Sequence, residues 1–543
     1  MKISKFSICN FKCLGPQPVE FDFSDDILVL IGENNTGKSS VLSALFYFFS
    51  GTKTIPVEYF HNKQSDQSHA IVITTVFSDL SSEDKAHQAV SSYISSSSGD
   101  DSWILQKRYY YTDDGKGKCD YIALVNNEEK PNPSGLSQNC DDLFTEEKMQ
   151  KIYVEAVQNI SEIAGGGSKT AFGQIFNLLL KSDLEDATQF KELISAFENY
   201  AALFKKNTQH PKVAEIETQI TEKLGRFIPA KSVLDADVPK IEKLLPTPSI
   251  SADDGRQITT NPENQGNGFQ RALIFTLLEL LAEAKSPVAK AVGPRNLLLI
   301  EEPELYMHPQ MIRKVTNALY EIAKDQKAQV IVTTHSPQVL KIFEKQKALV
   351  RLIRTTNNEL LTIQQNEEIF AEGNAGEAKE RLQMIMRFDS TVNELFFARR
   401  VVLLEGDSEY VAIKESGELL ESLWNESTLH NKFDTTLINC RSRDTIPFFQ
   451  KILNHFKIDY VVIHDLEGED VSTGVNGRIL NLLGNVENKR KTFPNDIEQF
   501  LGISLSARDS KPLKVYEKVK ELSVQNLLNS KMSDFVKFAY NIT

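Results

Sequence analysis

Residues 27–49 read ILVLIGENNTGKSSVLSALFYFF, and this stretch decides how the N-terminal part of the chain folds. The run from Ile27 to Ile31 is apolar at every position, as in a strand that is buried on both faces of a sheet. Gly32 to Ser39 then matches the pattern GxxxxGK followed by Ser or Thr, and a helical apolar pattern comes after it. This order of strand, glycine-containing loop and helix predicts a loop that binds phosphate groups.

Lys38 and the loop around it have defined partners in a nucleoside triphosphate. The backbone N–H groups of the loop and of the helix N-terminus face the phosphate oxygens, and Lys38 reaches the β and γ oxygens. Ser39 supplies a hydroxyl group to a bound Mg²⁺. The sequence therefore predicts an ATP site that contains Gly32, Asn35, Thr36, Gly37, Lys38, Ser39 and Ser40.

Carboxylates at the end of a second apolar strand complete the predicted ATP site. In the stretch LLLIEEP at residues 297–303, we expect Glu301 to order the Mg²⁺ and its water, and Glu302 to polarise the attacking water. After the next predicted strand, His335 is placed to donate a hydrogen bond to the γ-phosphate. Solvated surface remains the alternative for the two glutamates, and a satisfied core group for the histidine.

The composition is that of a soluble globular chain with several domains. A length of 543 residues predicts roughly two to four domains, and 41% apolar with 25% charged residues excludes dominant disorder. The net charge of −13 means that any contact with nucleic acid must come from local basic patches or bound metal ions. Five scattered cysteines and no signal or membrane-spanning stretch predict a cytoplasmic protein without a membrane partner.

Strand and helix patterns alternate in two parts of the chain, and a helical pattern interrupts the first of them. We expect an α/β nucleotide-binding domain with a helical insertion, followed by a smaller α/β domain. The predicted boundaries are residues 1–140 and 251–365 for the two halves of the first domain, 141–250 for the insertion, 366–394 for a linker and 395–543 for the second domain.

A second set of carboxylates lies at predicted strand ends near the C-terminus. Glu405 ends one apolar strand and Glu409 follows where a helix begins, whereas Asp465 and Glu467 follow another apolar strand. Adjacent strand ends in a parallel sheet meet at one edge, so these four acids are expected to converge. Converging carboxylates repel one another unless they bind divalent cations, and their hard oxygen ligands suit Mg²⁺ or Mn²⁺. Surface acids without a ligand are the alternative.

Further polar residues follow these acids. Asp496 and Glu498 either join the metal shell or, as we favour, have only a structural role, whereas Lys511 either neutralises charge that develops on a phosphate or is structural. The basic residues at 399–400 and 488–491 either track a DNA backbone or are solvated surface.

Residues 1 to about 365 resemble ABC-type ATPases of the RecF/SMC kind. The resemblance is carried by the phosphate loop, the two glutamates after the second strand and His335. In that family a signature segment of one subunit caps the ATP held by the other. The resemblance places this segment at residues 264–271 and implies that Asn267 and Gly268 contact ATP, so that at least a dimer is required. Asn267 stands where the family has Ser, and Phe269 where it has Gly.

The C-terminal carboxylates resemble those of a Toprim domain, which binds metal in topoisomerases, primases and a group of nucleases. The family pattern is a strand-end Glu and then Asp-x-Asp, and Glu467 replaces the second Asp. Arg441 and Arg443 stand where relatives often have glycines.

The order of the two motif sets resembles the overcoming-lysogenization-defect (OLD) nucleases, which include the nuclease subunit of Gabija and retron-associated effectors. The resemblance implies metal-dependent DNA cleavage, homo-oligomers and a role in bacterial defence against phage. It also implies partners such as an accessory defence protein, or a retron reverse transcriptase with its nucleic acid. We expect a two-metal mechanism in which Glu405, Glu409, Asp465 and Glu467 hold the ions and ATP acts as a conformational control.

Two other classes remain open. One is a repair or structural-maintenance ATPase whose C-terminal domain binds DNA or a partner without cleavage, as a decayed metal site at Glu467 would favour. The other, a primase or topoisomerase, is less favoured because those Toprim domains are not joined to ABC-type heads.

Overall fold

The computed structural model describes the chain in part. The described residues are 1–23, 26–97, 100–126, 128–130, 136–145, 149–156, 160, 172, 188–202, 211–226, 250–253, 259–284, 295–324, 328–341, 345–355, 359–364, 390–421, 434–504 and 510–542. Contacts divide the chain into two units. The first is Met1–Ala156, Pro294–Leu305 and Pro309–Thr543, and the second is Val157–Gly293 and Tyr306–His308.

A six-stranded sheet forms the centre of the first unit, in the order β15-β14-β3-β13-β12-β9. Its strands are β3 (Ile27–Gly32), β9 (Met149–Val154), β12 (Arg295–Glu301), β13 (Ala328–Thr333), β14 (Leu349–Arg354) and β15 (Leu360–Gln364). All neighbours are parallel except the β14 and β15 pair. Every residue of β3 is buried between its parallel neighbours β13 and β14. The phosphate loop therefore leaves the interior of the sheet.

A seven-stranded antiparallel sheet packs with this one around a common core. Its strands are β1 (Lys2–Cys9), β2 (Val19–Asp22), β4 (Ile71–Ser78), β5 (Ile94–Ser97), β6 (Asp100–Tyr111), β7 (Gly117–Val125) and β8 (Glu128–Lys130). The helix α1 (Lys38–Phe49) contacts strands of both sheets, and its Phe48 and Phe49 are fully buried. Burial of this apolar face fixes the helix that follows the phosphate loop.

A four-stranded parallel sheet lies near the C-terminus, in the order β17-β16-β18-β19. Its strands are β16 (Arg400–Leu404), β17 (Thr435–Asn439), β18 (Asp459–Asp465) and β19 (Arg490–Phe493). Leu404 pairs with Ile463, so the chain leaves β16 and β18 at the same edge of the sheet. This register brings the residues after the two strands together, as the sequence predicts.

Helices cover the faces of these sheets in the first unit. The remaining described helices are α2 (Ser82–Ala86), α3 (Leu136–Leu143), α7 (Pro309–Lys324), α8 (Asp407–Leu419), α9 (Ile446–His455), α10 (Gly474–Leu482), α11 (Ile497–Leu501), α12 (Lys511–Val524) and α13 (Leu528–Tyr540). Helices α8, α12 and α13 pack on one another and share one apolar core with β16 and β18.

The second unit is mainly helical where it is described. It contains α4 (Thr188–Ala202), α5 (Pro211–Leu224) and α6 (Asn267–Ala284), with the two-stranded β10 (Ala252–Asp253) and β11 (Thr259–Thr260). Leu193, Ile216 and Ile220 are exposed on α4 and α5.

Residues 149–154 differ from the helical expectation for residues 141–250, because they form the edge strand β9 of the parallel sheet. Ile152, Tyr153 and Val154 favour a strand, and pairing with β12 satisfies the backbone there. The predicted linker lies largely outside the described residues, as does much of the predicted insertion. Among the described residues, no helix combines the length and apolarity needed to span a bilayer.

Candidate functional site

The phosphate loop follows β3 in a conformation that only particular residues allow. Gly32 has a φ of 154°, and a Cβ atom there would lie 2.5 Å from the carbonyl oxygen of Leu352. Gly37 has a φ of 91°, and its Cβ would lie 2.9 Å from Sγ of Cys13. Asn35 also adopts a positive φ, which asparagine tolerates better than most residues. The glycines of the motif are therefore required by the fold of the loop itself.

Lys38 is buried and bonded to its own loop. Its Nζ donates to the carbonyl oxygens of Gly32 at 2.9 Å and of Glu33 at 2.8 Å. Burial lowers the pKa of Lys38 to about 8, against the opposing charges of Glu302 and Glu33. Thr36 is buried and donates to the carbonyl oxygen of Glu33, whereas Ser39 is exposed beside it.

The predicted acidic residues lie at the end of β12. Glu301 is buried and accepts a hydrogen bond of 2.7 Å from the hydroxyl of Tyr153. Glu302 has a φ of 42° and lies 3.9 Å from Nε2 of His335. Burial and the charge of Lys38 lower the pKa of His335, against the opposing charge of Glu302. The structure therefore brings Lys38, Glu302 and His335 into one neighbourhood.

Glu304 is a residue of this neighbourhood that the sequence analysis missed. Its Oε1 accepts 2.8 Å hydrogen bonds from the Thr334 hydroxyl and from the backbone N–H of His335. This carboxylate fixes the turn that presents the imidazole. The spacing of Glu304 just after the glutamate pair was the available signal.

Asn267 and Gly268 belong to the second unit, where they form the start of α6. The N–H groups of Phe269 and Gln270 donate to the carbonyl oxygen of Gly266 there. The predicted signature segment is thus a helix start.

Arginine side chains join the phosphate-loop side of the first unit to the C-terminal domain. The guanidinium of Arg351, on β14, donates to the carbonyl oxygens of Phe456 at 2.6 Å and Lys457 at 3.0 Å, just after α9. Arg399, just before β16, forms an ion pair of 3.1 Å with Glu33 of the loop. The two predicted sites therefore belong to one packed body.

A polar pocket lies at the edge where β16 and β18 end. Its wall contains Glu405, Asp407, Ser408, Glu409, Arg441, Asp465, Glu467, Asp496, Glu498 and Lys511. The four acids that the sequence predicts to converge all lie on this wall. Arg441 forms an ion pair of 3.1 Å with Asp407 at the rim.

Three carboxylates occupy the inner part of this pocket. Oε2 of Glu405 accepts a 3.0 Å hydrogen bond from the backbone N–H of Asp465, and Oε2 of Glu409 accepts one of 2.8 Å from Gly406. Burial raises the pKa of Asp465 to about 9 and that of Glu405 to about 7, and neighbouring carboxylates add to both shifts. Burial also raises the pKa of Glu409. The inner acids therefore resist full ionisation when no cation is present.

Glu498 is a further pocket residue that the sequence analysis interpreted as structural. It is buried on α11, accepts a 2.7 Å hydrogen bond from Ser408 and lies 3.8 Å from Nζ of Lys511. Asp496 also lines the pocket, and its side chain caps α11 by accepting from the N–H of Gln499. The structural role therefore accounts for Asp496, whereas Glu498 adds a buried acid to the site.

The donor set fits a divalent cation. Among the described residues, no group of three or more His, Cys, Asp or Glu side chains forms a ready-made metal cage. Oδ1 of Asp465 is nevertheless buried without a hydrogen-bond partner among these residues, at a site whose other donors are hard carboxylate oxygens. A hard cation would satisfy this oxygen and neutralise the repulsion.

Two family models match the chain. The first is described as an AAA ATPase domain and matches residues 1–340. The second is the TOPRIM domain of overcoming lysogenization defect protein-like proteins and matches residues 396–466. The matches define a class of proteins in which an ATPase domain precedes a TOPRIM domain, which confirms the predicted fold class. The chain belongs to the AAA ATPase domain family, and its C-terminal domain is an OLD-like Toprim domain.

Named relatives agree with this assignment. The Old nuclease of Escherichia phage P2 is 21% identical over 423 residues, which cover 75% of this chain and 68% of that protein. The OLD nuclease of Thermus scotoductus is 28% identical, over 39% of this chain and 37% of that protein. The endonuclease GajA of Bacillus cereus is 25% identical, over 38% of this chain and 32% of that protein. For the latter two, the match spans only about a third of the relative.

Solved structures give a weaker similarity. One match is an SMC head bound to the C-terminal winged-helix domain of ScpA. It covers 68% of this chain and 98% of the SMC head chain, with a TM-score of 0.39 and 14% identity. The fold class rests on the family matches and on the sheets described above.

Proposed function

We propose that the protein is an ATP-binding, metal-dependent DNA endonuclease of the OLD type, which acts in bacterial defence against phage. The observation that carries this proposal is the pocket at the edge of the C-terminal sheet, where the buried acids Asp465 and Glu409 converge with half-buried Glu405 and no Lys or Arg of the described residues forms an ion pair with them. The names of the relatives support nuclease activity, and the phosphate loop supports ATP binding.

Carboxylates of the Toprim pocket would hold Mg²⁺ or Mn²⁺. Glu405, Glu409 and Asp465 are the inner ligands, and Glu467 is the ligand nearest the rim. The bound metal supplies Lewis-acid chemistry that lowers the pKa of water and stabilises charge on phosphate oxygens. Lys511 is exposed on the pocket wall, where its ammonium group can neutralise a phosphate of the DNA backbone.

Residues around the phosphate loop have separate roles in ATP binding. Lys38 and the N–H groups at the start of α1 bind the phosphates, and Ser39 with Glu301 are the groups that would hold Mg²⁺. Glu302 accepts the proton of the attacking water, and His335 donates a hydrogen bond to the γ-phosphate. Asn267 and Gly268 of a partner subunit would complete the site, so this proposal requires at least a dimer.

Contacts between the two domains give ATP a route to control cleavage. Arg399 bonds to Glu33 of the phosphate loop and precedes β16, whose end carries Glu405. A movement of the loop on ATP binding would therefore shift Arg399 and, through it, the strand β16 that precedes the metal ligand Glu405. The proposed enzyme would act in the cytoplasm on DNA. Its other partners would be further copies of the chain and an accessory defence protein, or a retron reverse transcriptase with its nucleic acid.

One experiment tests the proposal directly. Purified full-length protein is incubated with supercoiled plasmid in Mg²⁺, Mn²⁺ or EDTA, each with and without ATP, and the products are separated on an agarose gel. We expect nicked or linear plasmid with either metal, intact plasmid in EDTA, and a rate that depends on ATP. Intact plasmid in every lane, with plasmid retained by the protein in a shift assay, would replace the nuclease by a DNA-binding ATPase.

This second candidate has one specific observation in its favour. Glu467 is a longer acid than the Toprim pattern requires, has a φ of 53° and is held by Arg443 at 2.8 Å. These features favour a metal site that has decayed.

Light scattering adds an independent test of the ATP site, because a monomer that hydrolyses ATP at every protein concentration would contradict a site completed by a partner subunit.

A further inference from the structure

The acids of the Toprim pocket fall into two groups according to the counter-charges that the chain supplies. Among the described residues, no Lys or Arg forms an ion pair with the inner acids Glu405, Glu409 and Asp465. The outer acids differ, because Glu467 pairs with Arg443 at 2.8 Å and Glu498 lies 3.8 Å from Lys511. The inner acids therefore have no direct ion pair among the described residues, although the charges of Arg443 and Lys511 act on Glu405 and Glu409 from farther away.

Arg443 is largely buried next to Ser442 of the pocket wall rather than placed on the surface. Its side chain is only 12% exposed, although Glu467 and Glu469, with which it pairs, are 54% and 50% exposed. One terminal nitrogen donates to Oε2 of Glu467, and the other contacts Oε2 of Glu469 at 3.2 Å and the carbonyl oxygen of Leu466 at 3.3 Å. The guanidinium thus holds both ends of the turn that follows β18.

The backbone on both sides of this ion pair is fixed. Arg443 begins a short 3-10 turn in which the hydroxyl of Ser442 accepts from the N–H of Asp444, and the hydroxyl of Thr445 donates to the carbonyl oxygen of Ser442 at 2.7 Å. On the other side, the N–H of Glu467 donates to the carbonyl oxygen of Asn495 at 3.0 Å. An exchange of partner at Glu467 is therefore a movement of side chains rather than of the two loops.

We propose that Arg443 is the built-in cation of this site, a positioning residue that acts through Glu467 by occupying the carboxylate oxygen that a second divalent ion would need. The site then takes one divalent ion tightly at the inner acids, and a second ion only when Glu467 exchanges Arg443 for it. This inference rests on the proposed metal-dependent function and refines its two-metal form.

Two physical effects make Arg443 a competitor of the second ion. The first is direct, because the Glu467 oxygen that receives the guanidinium N–H must give up that charge-assisted bond before it can ligate a metal. The second is the unit positive charge of Arg443 itself, which repels a divalent cation at the same carboxylate. Both effects weaken the second ion and leave the first, which binds deeper in the pocket, nearly unchanged.

Calorimetric titration of MnCl₂ into the full-length protein tests the inference without any activity assay. The wild type is expected to bind one ion tightly and a second at least about tenfold more weakly. Arg443→Gln should strengthen the second step roughly fivefold or more and change the first less than about twofold. Arg443→Lys keeps a cation in place and should retain the weak second step. Arg478→Gln is the matched control, because Arg478 is 62% exposed and pairs weakly with Asp444 outside the pocket wall.

The outcomes separate this inference from the proposed function. A second step that is unchanged or weaker in Arg443→Gln overturns the role of Arg443. Failure of the wild type to bind Mn²⁺, or unaltered binding by Asp465→Ala, overturns the metal site as a whole. Should Arg443→Gln prove misfolded by circular dichroism, Glu467→Gln still decides the matter, since it must abolish the second step while the first remains.

Discussion

The phosphate loop and the Toprim pocket solve opposite electrostatic problems. In the loop, the buried cation Lys38 already donates to the carbonyl oxygens of Gly32 and Glu33. In the pocket, Oδ1 of buried Asp465 has no hydrogen-bond partner among the described residues, and neighbouring acids surround it. One site satisfies its charge from its own backbone, whereas the other leaves its charge for a ligand.

This difference predicts how each site responds to loss of its charged residue. At the loop, ATP must replace contacts that exist, so a substitution changes affinity by the difference between two sets of bonds. At the pocket, a cation meets inner carboxylates with which no Lys or Arg of the described residues forms an ion pair, so the dependence on each of these acids is steeper. We therefore expect the loss of a pocket acid to have a larger effect than the loss of the loop cation Lys38.

The largest effect is expected for Asp465→Ala. This carboxylate lies at the end of β18, where it is the most strongly perturbed of the inner acids and is placed to contact both ions of a two-metal site. Its removal should slow plasmid cleavage on the order of a hundredfold or more, with ATP hydrolysis largely intact. Parallel gel and phosphate-release assays measure the two activities on the same preparation.

The control for this prediction is Asp496→Ala, which removes an acid from the same wall. Asp496 caps α11, so we expect a modest loss of stability and a much smaller loss of cleavage. Cleavage by Asp465→Ala at the wild-type rate, in a preparation free of other nucleases, would remove the Toprim pocket as the catalytic centre.

Glu302→Gln is expected to have the next largest effect. The amide keeps the shape of the side chain but cannot accept the proton of the attacking water, so ATP turnover should fall roughly a hundredfold. Binding of a fluorescent ATP analogue should change little, because the phosphate contacts remain. A mutant that turns over at full rate would move the role of general base to another residue, and Glu304→Gln is the variant to examine next.

Lys38→Ala should weaken ATP binding by roughly tenfold to a hundredfold, the value of one or two hydrogen bonds to charged groups. Lys38→Met is the matched variant, because it keeps the length of the side chain and loses only the charge. Equilibrium binding of the same ATP analogue measures the effect. Wild-type affinity in both variants would show that the loop does not use Lys38 for phosphate.

The convergence of Glu405 and Asp465 could be predicted from the sequence because it depends on local patterns. Each acid follows a run of apolar residues that reads as a buried strand, and parallel strands end at one edge. The same holds for Lys38 and Glu302, which follow β3 and β12. The end of a buried strand can be recognised from the local sequence pattern alone.

Glu498, Arg443 and β9 could not be predicted in this way. Glu498 enters the pocket because the short helix α11 packs against α8, a tertiary contact without a signal in the neighbouring residues. The ion pair between Arg443 and Glu467 joins two loops that the sequence separates by a helix and a strand. Likewise, β9 is a strand because β12 lies beside it, although the two are far apart in sequence.

The smallest effect is expected in the pH dependence of stability without metal, where Asp465→Asn serves as the probe. The pKa of Asp465 is about 9 in the folded protein against 3.8 ordinarily, so the unfolded chain releases this proton at lower pH than the folded one. The stability associated with the proton is therefore complete below about pH 4 and is lost as the pH rises towards 9. Asparagine has no proton to release, so in EDTA the melting temperature of the variant should exceed that of the wild type increasingly as the pH rises from 5 to 8, by roughly a few degrees.

Adding Mn²⁺ should reverse the order of the two melting temperatures, because only the wild type gains the full stabilisation of a bound ion. Differential scanning fluorimetry measures both series, and parallel melting curves for the two proteins at every pH and metal concentration would mean that Asp465 is satisfied by the protein alone, as Lys38 is.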